Sequence, residues 1–197
     1  LKEKLEWKYP YIQLSKIEGK TSVSKIKEMD NLVKSEMKMP EFIKQNEKKI
    51  TGAQKGTLIH LCMQNLDINV DYDKEKVIKL VENLEGKKLI NNVEAEKIDI
   101  DKILEFTKSH IWKELKDSKQ IEREKAFYIM LPADEIYNNE IKDEILVQGV
   151  IDLYYINAND ELVLVDYKTD YVQNEEELIL KYNKQLELYK KALENAL

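Results

Sequence analysis

Three charged side chains interrupt two apolar runs in the last quarter of the sequence. Asp152 follows Gly149-Val150-Ile151, while Asp166 and Lys168 follow Leu162-Val163-Leu164-Val165. Side chains at i and i+2 of a strand point to one face. Leu162, Leu164, Asp166 and Lys168 therefore share a face, with Val163, Val165 and Tyr167 on the other, and Asp166 and Lys168 stand roughly 7 Å apart at their backbones. In the earlier run Gln148, Val150, Asp152, Tyr154 and Ile156 share a face. The connecting Asn157-Ala158-Asn159-Asp160 is rich in turn formers, which predicts a β-hairpin. Pairing Asp152 with Asp166 sets Ile156 opposite Leu162 and leaves a five-residue loop, Asn157 to Glu161. Opposite side chains lie about 5 Å apart, so the hairpin brings two acids and a lysine to one point.

Two facing carboxylates repel unless a proton or a cation lies between them. With lysine at hand and no cluster of histidine or cysteine, oxygen ligation of a hard divalent ion accounts best for the pair. Magnesium takes one or two protein carboxylates together with phosphate oxygens of a substrate, and such an ion acidifies water for attack at phosphorus. Lys168 would orient the nucleophile or stabilise negative charge in the transition state. The competing reading is an Asp166–Lys168 ion pair at a strand edge.

The rest of the chain must position these groups. It has 197 residues, 43% apolar and 36% charged, with five glycines and three prolines, a composition of long solvated helices around a modest sheet. It opens at Leu1, as a fragment of a larger protein would. No apolar run approaches the roughly 18 residues of a membrane span and no signal core follows the first lysines, so a cytoplasmic location is expected. The single cysteine, Cys62, excludes an internal disulfide and cannot alone hold zinc or an iron–sulfur cluster. Net charge is −6, but residues 1–55 carry 13 lysines against 8 acids, a net of +5, leaving 19 bases against 30 acids, a net of −11. A polyanion would meet the N-terminal part more comfortably than the rest.

In chain order, Trp7 to Leu14 reads as an extended segment, an edge strand given Pro10. Ser24 to Val33 has helical spacing behind Ser22 or Ser24 as cap, and residues 34–50 read as loop plus short helix broken at Pro40. Loop residues from Thr51 lead into a helix apolar nearly all round, hence buried, with His60 in its middle and Gly56 one turn earlier. Taken alone, His60 reads as a hydrogen-bonded core residue. Residues 70–118 carry continuous helical periodicity, punctuated at Gly86 and Asn91-Asn92, and form a helical insertion of three or four helices with His110 facing solvent. Asp71 to Glu75 hints at a calcium loop, but Lys76 stands where its glycine is required. Ile121 to Leu131 reads as a strand whose even face, Glu122, Glu124, Ala126, Tyr128 and Met130, lets Glu124 reach the surface of the hairpin acids. After a polar loop, Asp134 to Asp143, comes the hairpin. Glu175 to Leu197 is a terminal helix with Asn174 as cap and Gln185 and Tyr189 on one face.

Asp152 followed by Asp166-Tyr167-Lys168 resembles the split signature of PD-(D/E)XK nucleases. The likeness extends to their RecB-like branch at five points in order: Gly56-x-x-x-His60, Glu124 with Phe127, Gly149-x-Ile151-Asp152, Asp166-Tyr167-Lys168-Thr169, and Gln185-x-x-x-Tyr189. Within that branch the chain is most similar to the nuclease domains of AddA-type helicase-nuclease subunits, which Thr169-Asp170-Tyr171 also fits.

The resemblance implies His60, Asp152 and Asp166 as metal ligands, with the Tyr167 carbonyl a further one. It implies Lys168 as catalytic lysine, Gln185 and Tyr189 as residues positioning that lysine or the scissile phosphate, and Glu124 as a structural or supporting acid. It implies Mg2+, with Mn2+ also active because a nitrogen ligand is unusual for magnesium. Relatives with an iron–sulfur cluster use four cysteines, so this chain should lack one. The expected fold is α/β, a restriction-endonuclease-like core with a small mixed sheet flanked by helices. One domain would span 1–197: an extension (1–50), the helical insertion (70–118), and the catalytic sheet and terminal helix (119–197). The implied partners are DNA, a fused or associated helicase motor and a second, AddB-like subunit. The implied work is exonuclease-type DNA hydrolysis in double-strand-break repair and recombination. Two rivals are a catalytically idle domain of the same fold that binds DNA or a partner, and a metal-dependent hydrolase of nucleotides or RNA.

Overall fold

The computed structural model describes residues 17–34, 51–137, 141–169 and 174–196. The Trp7–Leu14 segment, the loop around Pro40, and Asp170 and Tyr171 lie outside them. In chain order the elements are β1 (Lys20–Ser22), α1 (Val23–Lys34), α2 (Gly52–Gln64), α3 (Lys74–Gly86), α4 (Asn92–Ala95), α5 (Ile100–Lys108), α6 (His110–Lys116), β2 (Gln120–Pro132), α7 (Ala133–Tyr137), β3 (Glu144–Ile156), β4 (Leu162–Val165) and α8 (Glu175–Ala196). The four strands form one mixed sheet in the order β1-β3-β2, with β4 also on β3. β1 runs parallel to β3 and β4 antiparallel to it, and helices flank the sheet as the α/β reading expects.

The chain divides into two compact units, one of residues 1–38, 126–150 and 175–197, the other of residues 39–125 and 151–174. In the first, α1 packs on α8. Its buried residues include Ile26, Ile129, Leu131, Ile145, Val147 and Leu188. Residues 126–132 of β2 alternate between exposed even and more buried odd positions, so one face is solvated there. Ser22 is the residue that caps α1, its hydroxyl accepting the Lys25 N–H at 3.3 Å. β1 has no sequence signature, because three residues carry no periodicity. The expected polar loop after β2 opens instead with a five-residue helix, α7.

The second unit holds the helical insertion, four helices as expected, α3 to α6. Each starts behind a side-chain cap: Asp73, Asn91, Asp99 and Ser109. Their apolar faces join α2, Leu153 and Tyr155 in one core around Cys62, Val77, Ile103 and Leu115. His110 is exposed, and the buried Tyr155 donates its hydroxyl to Glu114 at 2.6 Å. The hairpin register is Ile156 opposite Leu162 and Leu153 opposite Val165, the pairing expected from the turn chemistry. Asn157 N–H closes the loop on Glu161 O at 3.0 Å, and Asp160 adopts φ 64°, a left-handed turn position that Asp tolerates.

Candidate metal centre and active site

The centre is built within the second unit. α2 starts on a reciprocal cap: Thr51 Oγ1 accepts the Gln54 N–H at 3.2 Å, and Gln54 Oε1 accepts the Thr51 N–H at 2.7 Å. Its first turn is exposed, contrary to the expectation of a helix buried throughout, and its buried residues begin at Leu58. His60 is thus half-buried. Its Nε2 lies 2.8 Å from the Tyr167 carbonyl oxygen and its Nδ1 3.4 Å from Asp152 Oδ1.

Asp152 sits in residues 151–155 of β3, all buried, and is itself 8% exposed. A carboxylate there is costly unless bonded. Its Oδ2 accepts the Tyr167 N–H at 2.8 Å. β4 ends at Val165, so Asp166, Tyr167 and Lys168 leave the strand and Tyr167 bonds to a side chain instead of a neighbouring backbone. One peptide segment therefore serves two partners, its N–H holding Asp152 and its C=O facing His60. The Tyr167 ring anchors it, edge-on to Phe106 at 5.4 Å and to His60 at 5.6 Å. Burial pushes the Tyr167 phenol pKa up.

Lys168 Nζ lies 2.5 Å from Asp166 Oδ2, with only 5% of the Asp166 side chain exposed. Burial raises the Asp166 pKa, opposed by Lys168 and reinforced by the charge on Asp152. Glu124 approaches from β2 with φ 48°, a left-handed conformation rare for a side-chain-bearing residue and one that re-aims a strand side chain. A carboxylate oxygen of Glu124, one of Asp152 and a His60 ring nitrogen all lie within 4.8 Å of one another. Glu124 has its pKa raised, by burial first and then by Asp152, while His60 opposes this. The His60 pKa is raised, chiefly by its hydrogen bond with Asp152.

This donor set fits a divalent ion: one imidazole and two carboxylates converge, with a carbonyl oxygen beside the imidazole. The 2.8 Å between His60 Nε2 and Tyr167 O is close to the roughly 3 Å that separates neighbouring ligands of an octahedral ion bound at about 2.1 Å. The site opens into a groove of about 680 Å³ lined by Gly52, Ala53, Gly56 and Thr57 of α2 and by Glu124, Lys168 and Thr169. A Cβ at Gly56 would stand 3.2 Å from Thr169 Oγ1, so a side chain there would press on the segment that carries Lys168.

Of the residues expected from sequence, His60, Asp152 and the Tyr167 backbone meet. Asp166 is engaged by Lys168 and is not among the three converging donors. Glu124, expected as a structural or supporting acid, is one of them. Its left-handed backbone carries no sequence signal because no glycine marks it. Gln185 and Tyr189 belong to the first unit, where both are buried and Gln185 Nε2 donates to Tyr189 Oη at 2.8 Å.

The sequence pattern of the PD-(D/E)XK nuclease superfamily matches residues 32–196. The chain is 34% identical over 211 residues to the AddA-like subunit of the ATP-dependent helicase/nuclease of Clostridium novyi (strain NT), covering 98% of this chain and 17% of that protein. Identity is 36% over 210 residues to the corresponding subunit of Acetivibrio thermocellus and 37% over 206 residues to that of Clostridium botulinum (strain Loch Maree / Type A3), each over 97% of this chain and 16% of the relative. The chain thus spans about a sixth of the length of the curated relatives it matches. With the family pattern running through five sixths of its length and an acid-rich centre beside the Asp166–Lys168 pair, this chain belongs to the PD-(D/E)XK nuclease superfamily.

Proposed function

We propose that this chain hydrolyses phosphodiester bonds of DNA as the nuclease part of a helicase-nuclease, dependent on Mg2+ and also active with Mn2+. The observation that carries the reading is the convergence of His60, Glu124 and Asp152 beside the Asp166–Lys168 pair. His60, Asp152 and the Tyr167 carbonyl would hold the ion together with Asp166 or Glu124. When bound, the ion supplies an acidified water and neutralises charge on the phosphate. Lys168, held by Asp166, presents its ammonium to the phosphate oxygens as a water oxygen bonds to phosphorus and the bond to the leaving sugar oxygen breaks. Asp152 keeps the Tyr167 segment in place and Tyr167 keeps the His60 ring oriented. The role of Gln185 and Tyr189 in positioning lysine or phosphate rests on the family resemblance alone.

Exonuclease-type digestion, work in break repair and recombination in the cytoplasm, and pairing with an AddB-like subunit belong to the same proposal, supported by the names of the similar proteins. The net charge of −6 fits a domain that receives its strand from a motor rather than capturing it by charge. The test uses labelled single-stranded DNA with Mg2+ or Mn2+, comparing the chain with its Asp166→Ala and Lys168→Ala variants. Cleavage should fall by about a hundredfold or more in both. Undiminished cleavage in the two variants refutes the mechanism, and no cleavage by the unsubstituted chain, alone or joined to a helicase, favours the idle-domain reading.

A further inference from the structure

Arg123 is the only arginine among the 32 basic residues of this chain; every other is lysine. Arginine differs from lysine by a rigid, planar set of donors that holds two acceptors at once. The structure uses that difference. Arg123 Nη1 donates to Gln64 O at 3.0 Å and to Leu66 O at 2.5 Å. Gln64 is the last residue of α2, and Leu66, 1% exposed, lies just past its cap. These carbonyls fall where a helix leaves acceptors without intrahelical partners and where its dipole favours a cation.

The two ends of this clamp are the two elements that bring the centre together. His60 lies four residues before Gln64, on the same face of α2, and Gln64 itself lines the groove with His60 and Glu124. Arg123 directly precedes Glu124, whose φ of 48° turns its carboxylate to the ligand cluster. A bulged strand position is loosely determined by the ladder alone. The backbone at residue 123 is fixed instead by the guanidinium bonded to the end of the His60 helix.

We infer that Arg123 is a positioning residue that sets the separation of the His60 imidazole from the Glu124 carboxylate by tying the β2 bulge to the C-terminal end of α2. The inference rests on the metal-centre reading and adds to it a residue with no donor of its own to the ion. A lysine reaches only one of the two carbonyls, so Arg123→Lys keeps the charge and loosens the geometry. Supporting groups of metal ligands are worth about tenfold or more in affinity when lost.

The experiment measures Mn2+ binding by calorimetry and electron paramagnetic resonance, and unfolding by urea, for the unsubstituted chain and for Arg123→Lys, Arg123→Gln and Asp152→Asn. Arg123→Lys should stay folded, with its Mn2+ dissociation constant raised about tenfold and a changed manganese spectrum. DNA cleavage by this variant should fall at limiting Mn2+ and recover at saturation. A metal constant and spectrum unchanged in Arg123→Lys and Arg123→Gln overturn the inference while leaving the metal centre standing. Loss of folding in both also overturns it, making the guanidinium a staple of the fold. If the unsubstituted chain binds Mn2+ no better than Asp152→Asn, the metal-centre reading fails and takes the inference with it.

Discussion

Replacing Glu124 by glycine and by alanine separates the conformation of this residue from its chemistry. Both substitutions remove the carboxylate, so they share every loss of charge and ligation. They differ in the backbone. Glu124 holds φ 48°, where a Cβ costs about 1–2 kcal/mol and glycine costs little. Against this, glycine loses more freedom on folding, worth about 0.5–1 kcal/mol relative to alanine. In an ordinary strand the second effect acts alone and alanine is the more stable. Here the first outweighs it, and Glu124→Gly should be more stable than Glu124→Ala by about 0.5–1 kcal/mol. That corresponds to a shift of about 1–4 °C in a chain of this size. Urea denaturation in EDTA, where ligand loss does not count, reads the difference directly, and calorimetry with Mn2+ reads the loss of affinity common to both. Alanine more stable than glycine at this position refutes the left-handed bulge and the account of how Glu124 reaches the cluster.

Cys62 is fully buried and burial pushes its thiol pKa up to about 12; it should resist Ellman's reagent in the folded chain and react stoichiometrically in urea, and rapid native reaction would contradict the packing of α2. A Cβ at Gly149 would lie 2.7 Å from the Phe127 ring and 3.0 Å from Val23, so Gly149→Ala should cost about 1–3 kcal/mol by overpacking, with Phe127→Leu restoring part of it in urea titrations of the double variant. His60, Glu124 and Asp166 all have raised pKa values in the folded chain; each contributes stability present below its unfolded pKa and lost as pH rises through its folded one. The metal-free protein should therefore lose stability from the ordinary carboxylate range up past the usual histidine pKa, and saturating Mn2+ should offset that loss; urea midpoints that stay level or climb across this range without metal would refute it.

The hairpin was legible from sequence to the residue because its determinants are local. Side-chain alternation fixes the face, and Asn157 to Glu161 fixes the loop, so the pairing of Ile156 with Leu162 follows. The capped helices were legible for the same reason. What was not legible depends on contacts between distant segments. β4 stops at Val165 because Asp152, fifteen residues before Tyr167, takes the N–H that would continue it. Glu124 adopts a glycine-like backbone without a glycine, held by a neighbour whose partners lie 57 and 59 residues away. His60 sits on a helix whose apolar pattern hides it, and only the approach of Asp152 and Tyr167 distinguishes it from a core histidine.

The family blocks also divide by physical role, which the spacing of residues does not reveal. Gly56, His60, Glu124, Asp152, Tyr167 and Lys168 lie in the unit that holds the candidate centre. Gly149, Phe127, Gln185 and Tyr189 lie in the other and form a packed series of their own. Gly149 has no Cβ where the Phe127 ring needs the space. The Phe127 ring stands edge-on to Tyr189 at 5.7 Å, and the Tyr189 hydroxyl is held by Gln185. A bulky residue at Gly149, Phe127 or Tyr189 would be felt by the next in the series, so these positions constrain one another through volume before any chemistry is considered. A variant at Gly149 or Phe127 that lowers nuclease activity should accordingly lower unfolding stability in step, whereas Lys168→Ala, which removes a charge from the groove, should lower activity with stability nearly unchanged. Activity and stability that separate at Gly149, or fall together at Lys168, would place these residues in the opposite classes.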